Sequence, residues 1–158
     1  MKHSGDRKGR TMKKPSTKLA ALAAALVLSA GTALAQDMLP LPPVKQSGSV
    51  SYVSGGVPDE QLPAIQQARA SYPLVIELYQ KAGAKSEYTS DAQIRLKNSK
   101  GEVVLDDKSD GPFFLVRTPP GTYQVEATLN GKALTQRAVA VPAKGSRRVV
   151  FVFPQATD

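Results

Sequence analysis

The groups best able to do chemistry in this chain are carboxylates. Glu102, Asp106, Asp107 and Asp110 fall in one short stretch, and Glu126 follows on a later alternating segment. Two acids about 5–10 Å apart across a cleft can hydrolyse a glycosidic bond, one as acid and the other as base or nucleophile. Asp106, Asp107 or Asp110 paired with Glu102 or Glu126 would supply such a couple. The same stretch invites a calcium loop, with Asp106 and Asp110 at the first and fifth ligand positions and Gly111 at the loop glycine. Lys108 then holds the third position and Arg117 the twelfth, where a bidentate Glu is required. Cations in place of oxygens defeat the motif, and a polar connection between strands is the better reading. Gly83-Ala-Lys-Ser86 has the ending of a phosphate loop but lacks the glycine before Lys85 and the opening glycine, so the match is chance.

Other chemistries lack their residues. The chain of 158 residues contains no Cys and one His, His3. Ser-His-Asp and Cys-His catalysis are thereby excluded, as are His or Cys metal sites. No cofactor and no metal are expected.

The cations Lys144, Arg147 and Arg148 form a small basic cluster suited to contact with an anion or a partner, such as lipopolysaccharide or an acidic glycan. They also serve as gatekeeper charges beside the aggregation-prone run Val149 to Phe153, which is the favoured reading. Phe113, Phe114, Phe151 and Phe153 lie within apolar runs and belong to the core. Tyr52, Tyr72, Tyr79 and Tyr88 are candidates for the surface, where they would offer a sugar platform, with ordinary packing as the alternative.

Residues 1–35 have the pattern of a signal peptide. Lys13, Lys14 and Lys18 precede the apolar run Leu19 to Leu28, and Ala33-Leu-Ala35 places cleavage between Ala35 and Gln36. A membrane-spanning helix needs about 20 apolar residues. Ser29, Gly31 and Thr32 interrupt this run too early, so no transmembrane segment is expected in the mature chain. No cysteine follows for lipid attachment. Met12-Lys-Lys is a more ordinary signal-peptide start than Met1, which makes residues 1–11 an expected overextension. The destination is periplasmic or secreted. The whole chain carries 21 Lys plus Arg against 13 Asp plus Glu, but the leader holds seven of the bases and one of the acids. The remaining 14 against 12 leave +2, and a nucleic-acid partner loses its main support.

Residues 36–48, with Pro40, Pro42 and Pro43, read as a proline-rich linker. The domain runs over 49–154, leaving 155–158 as a tail. Ser49 to Val53 predicts a first strand. Leu62, Ile65 and Ala68 form a narrow apolar stripe, predicting one short helix from about 60–63 to 70 that covers an end or edge of the sheet. Alternation then predicts strands over 74–79, 92–97 and 103–105, with a long polar loop over 81–91 available for contact. The apolar run Phe113 to Val116 is broken by Thr118-Pro-Pro-Gly121, and period two resumes at Tyr123. In that turn Pro119 and Pro120 fix φ, Gly121 is expected at positive φ, and Tyr123 is expected to place its ring beneath the bend with its hydroxyl on nearby backbone. Asn130-Gly131 predicts a two-residue hairpin turn, Pro142 to Gly145 another turn. Val149, Phe151 and Phe153 share one face of the last strand and Val150 and Val152 the other, so this strand is expected to be covered on both sides. Short strands at these spacings predict an antiparallel β-sandwich of about seven or eight strands.

The pairing of Ala92-Gln-Ile-Arg-Leu-Lys and Gly101-Glu-Val-Val with Asp110-Gly-Pro-Phe-Phe-Leu and Pro120-Gly-Thr-Tyr-Gln-Val resembles the carboxypeptidase regulatory-like domains, which are transthyretin-like (prealbumin-like) sandwiches of the Ig-like kind. Gly55-Gly56 and Glu60 resemble the Gly-Gly-x-x-x-Glu segment of small exported bacterial proteins that carry this domain. The resemblance implies a non-catalytic accessory module with no active site to transfer. The expectation is therefore a binding or structural module that presents loops or a sheet edge to an envelope protein or glycan. Strand addition at an edge needs no special side chains. The alternative is a small carbohydrate-active enzyme or acidic-glycan-binding protein using the surface carboxylates or the Lys144/Arg147/Arg148 cluster.

Overall fold

The computed structural model describes residues 39–157. The expected leader and its cleavage site between Ala35 and Gln36 lie outside the described residues, as does Asp158. Strands β1 (Lys45–Ser47) and β2 (Val50–Gly55) are followed by the helical segment: a 3-10 turn Asp59–Gln61, α1 (Leu62–Ala68) and a second 3-10 turn Arg69–Ser71. The remaining strands are β3 (Leu74–Ala82), β4 (Lys85–Tyr88), β5 (Gln93–Lys97), β6 (Val103–Lys108), β7 (Phe113–Arg117), β8 (Gly121–Leu129), β9 (Lys132–Val141) and β10 (Arg147–Phe153). One sheet has the order β1-β2-β7-β3-β10 with β4 also on β3, and the other has the order β6-β5-β8-β9. The mainly β class that the alternation predicts is the class observed, with ten strands rather than seven or eight.

Alternation places the inner core. Tyr123, Val125, Ala127 and Leu129 of β8 face Leu74, Ile76 and Leu78 of β3, and Phe114 and Val116 of β7, in one buried cluster between the sheets. Asn130 and Gly131 both adopt positive φ, the requirement of the two-residue turn joining β8 to β9. β7 sits at the centre of its sheet and has no exposed apolar side. Phe113 and Leu115 point to the other face, where they form a second core with Val53, Val75, Tyr72 and Ile65 of α1. Pro63 falls in the first turn of α1, where its missing N–H costs nothing. The helix therefore covers a sheet face and not an end or edge, because β7 would otherwise expose Phe113 and Leu115 to water.

Four further expectations are corrected. The end of the expected linker is strand: Lys45, Gln46 and Ser47 pair with Tyr52, Ser51 and Val50. The expected open loop over 81–91 is mostly a hairpin, in which Ala82 pairs with Lys85 across Gly83-Ala84 and Gly83 takes positive φ. The sandwich is not wholly antiparallel, since β10 runs parallel to β3 in register Arg147 with Leu74 through Phe153 with Gln80. Finally, β10 is covered on one side only: Val149, Phe151 and Phe153 are buried, but Val152 is 41% exposed. Among the described residues no helix is long and apolar enough to cross a membrane.

Candidate functional site

Four of the five carboxylates that invite catalysis fall into two cation-bridged pairs, Asp106 with Glu126 about Arg95 and Asp107 with Asp110 about Lys45, and none of the five lines a cleft. Asp106 and Asp107 are neighbours within β6 and so point to opposite faces. Asp106 accepts hydrogen bonds from Gln93 Nε2 at 2.7 Å and from Arg95 Nη2 at 3.0 Å. Those donors hold its carboxyl below the usual range, Gln93 most strongly. Arg95 also reaches Glu126 at 3.7 Å. Asp107 lies at the rim between the sheets, where Tyr52 Oη donates to it at 2.7 Å and Lys45 Nζ stands 3.5 Å away. Burial opposes ionisation of Asp107, but Tyr52 and Lys45 outweigh it, and the tyrosine is pushed up to about 12 by burial and by that carboxylate. Asp110 accepts from Lys45 at 2.8 Å, and Glu102 from Asn98 Nδ2 at 2.9 Å. The calcium geometry is scattered: Asp106 is a strand residue, and Lys108 pairs with Asp91 at 2.9 Å. Among the described residues no group of three or more His, Cys, Asp or Glu converges to hold a metal.

The tyrosines expected at the surface divide. Tyr52 and Tyr72 are buried, and Tyr52 stacks on Phe114 with ring centroids 5.1 Å apart. Tyr88 is 49% exposed and stacks on half-buried Tyr79 at 5.0 Å.

Sequence reasoning misses the most consequential acid. Glu77 of β3 is 2% exposed on the same face as Val75, and it is fully engaged. Arg148 grips it from β10, Nε to Oε1 at 2.8 Å and Nη2 to Oε2 at 2.7 Å. Arg69 Nη2 donates to Oε1 at 2.6 Å and Tyr79 Oη to Oε2 at 3.0 Å. Burial pushes the carboxyl upward, yet Arg148, Tyr79 and Arg69 together bring it below its ordinary value. Arg148 therefore leaves the basic cluster for a structural ion pair. The signal was an acid alternating with Val75 and Tyr79 inside an otherwise apolar strand.

The other residues singled out by sequence meet at one end of the sandwich. Tyr123 lies under the Pro119-Pro120 bend, donating to Pro119 O at 2.7 Å and accepting from Thr118 Oγ1 at 2.9 Å. Gly121, by contrast, begins β8 without positive φ, so the bend is shaped by the prolines and the tyrosine. Next to this bend is a cleft of about 340 Å³ lined by Pro73, Arg117, Thr118, Pro120 and Pro142, with Ala70, Ser71, Ala143 and Gly145 completing it. Gly145 holds positive φ in the turn that carries Lys144. Arg117 is fixed there: Nη2 donates to Ser71 O at 3.0 Å, and the guanidinium lies 4.7 Å from the centroid of Tyr72. Among the described residues Arg117, Lys144 and Arg147 make no ion pair, in contrast to Arg69, Arg95 and Arg148. A second cleft of about 370 Å³ lies against the Asn130 turn, lined by Gln80, Leu129, Lys132, Phe153 and the tail Pro154–Thr157. Neither cleft is lined by an acid.

Sheet edges are less open than an antiparallel sandwich suggests. Ser47 Oγ donates across to Val104 O at 3.1 Å, and Gln136 Nε2 to Val150 O at 2.9 Å, so facing edges of the two sheets are bridged. β9 is also bulged: Gln136 pairs with Val125 and Val139 with Tyr123, with Ala138 at positive φ between them. A bulge twists an edge away from a flat incoming strand. No family model matches the chain, and no curated protein matches it.

Proposed function

We propose that this chain is a non-catalytic, exported module, periplasmic or secreted, that binds an envelope protein or glycan through the loops at its proline end. The observation that carries the reading is the cleft beside the Tyr123 bend, with rigid proline walls and Arg117, which pairs with no acid among the described residues, held in position. Prolines and a locked arginine lose little freedom on binding, which is the property a recognition surface needs. Bridged and bulged edges shift the weight from strand addition to these loops. The likeness of Pro120-Gly-Thr-Tyr-Gln-Val to carboxypeptidase regulatory-like, transthyretin-like domains supports the same accessory role. The carboxylates, each engaged by a cation or amide, favour binding over acid–base chemistry.

The test uses the chain isolated from its own cells and immobilised. Solubilised envelope proteins and, separately, protease-treated envelope glycans are passed over it. The expected result is saturable retention of one fraction that a Lys144→Glu/Arg147→Glu variant, checked by its melting curve, loses. Equal retention by the variant, or new reducing ends or amines released from either fraction, overturns the reading.

A further inference from the structure

Resting on that reading, we propose that the proline-end cleft receives a carboxylate from an extended acidic stretch of a partner protein, with Arg117 as the receiving group. The guanidinium has five N–H donors in a rigid fork, and among the described residues it makes one direct hydrogen bond, to Ser71 O. Tyr72 supports it from below, so the remaining donors are held in place without an acid to use them among the described residues. A planar, pre-positioned fork matches a carboxylate in two parallel hydrogen bonds. Lys144 on the adjoining turn and Arg147 at the start of β10 add positive charge that no acid among the described residues pairs.

The walls distinguish peptide from sugar. Neutral-sugar sites commonly present the open face of an aromatic ring, and no aromatic lines this cleft; Tyr72, beneath Arg117, is 5% exposed. The lining is instead Pro73, Pro120 and Pro142 with the short residues Ala70, Ser71, Thr118, Ala143 and Gly145, a mixed polar and apolar wall. Such short side chains leave room for the backbone of an extended chain. About 340 Å³ accommodates one acidic side chain and its flanking backbone.

Fluorescence anisotropy of the isolated chain with a labelled Gly-Glu-Glu-Gly-Glu-Glu-Gly peptide, its Gln counterpart and polygalacturonate tests this. The Glu peptide is expected to bind saturably and the Gln peptide not. Arg117→Gln and Arg117→Lys should each weaken binding about tenfold or more, the second because charge alone does not restore the fork. Ala70→Glu, on an exposed wall, should block the cleft and covers the case in which an Arg117 variant fails to fold. Undiminished binding by Arg117→Lys or by Ala70→Glu overturns the assignment, as does equal binding of the Gln peptide or no binding of the Glu peptide. Polygalacturonate bound in place of peptide, and lost in Lys144→Glu/Arg147→Glu, also overturns it while leaving the proline-end reading standing. Envelope retention that ignores the charge reversal removes both.

Discussion

Glu77 is ionised in a nearly water-free place because Arg148, Arg69 and Tyr79 each direct a donor at it. Replacing it by Gln leaves two guanidinium groups facing a neutral amide. Breaking a wholly buried pair costs about 3–5 kcal/mol, but the Arg148 side chain is 56% exposed, so about 2–3 kcal/mol is expected for Glu77→Gln. Because the folded-state carboxyl lies below its ordinary value, this stabilisation is fully present above the unfolded value and is lost as pH falls through the folded one. Melting temperatures of wild type and Glu77→Gln should thus differ at pH 7 and converge on acidification below about pH 4. A gap that persists at low pH would assign the loss to packing alone. The sequence could not show this ion pair, since Arg148 lies 71 residues from Glu77 and reaches it only through the parallel pairing of β10 with β3. Tyr123 was legible because its partners, Thr118 and Pro119, are within five residues.

Between elements, two glycines have exchanged the importance their neighbours suggest. Gly121 follows two prolines, yet it is extended, and a Cβ there would meet Tyr123 Cε2 at an ordinary 3.6 Å. Gly111 lies in the Asp110-Gly-Pro112 bend without positive φ, but a Cβ on it would collide with the Gly55 carbonyl, where the chain leading into β7 crosses the end of β2. Gly111→Ala should therefore destabilise by about 3 kcal/mol or more, the upper end of overpacking, because backbone must move. Gly121→Ala should stay within about 0.5 kcal/mol. Urea unfolding of the two variants checks this, and equal midpoints would refute the crossing. Turns announced by local chemistry, such as Asn130-Gly131, were legible. The hairpin of β3 and β4 was not, because residues 81–88 are exposed on both faces and so carry no alternation.

At the scale of the molecule, β7 gives one strand to two cores. Phe114 and Val116 belong to the space between the sheets, Phe113 and Leu115 to the space under α1. The unbroken apolar run was the sequence trace of this arrangement, and the stripe Leu62, Ile65, Ala68 was the trace of the helix that answers it. What neither could reveal was that they meet, since a stripe and a run carry no address for each other. The shared strand predicts shared stability. Ile65 is fully buried, and Ile65→Ala should cost about 2–5 kcal/mol, a large part of a typical total of about 5–15 kcal/mol. If β7 couples the cores, that loss appears in hydrogen exchange of β8, whose Val125 and Ala127 touch only the inner core. Protection of β8 amides should then fall by the same free energy as that of β7. A variant in which β7 and β2 lose protection while β8 keeps it would mean that the helical layer opens on its own, leaving the two-sheet sandwich as the independent folding unit.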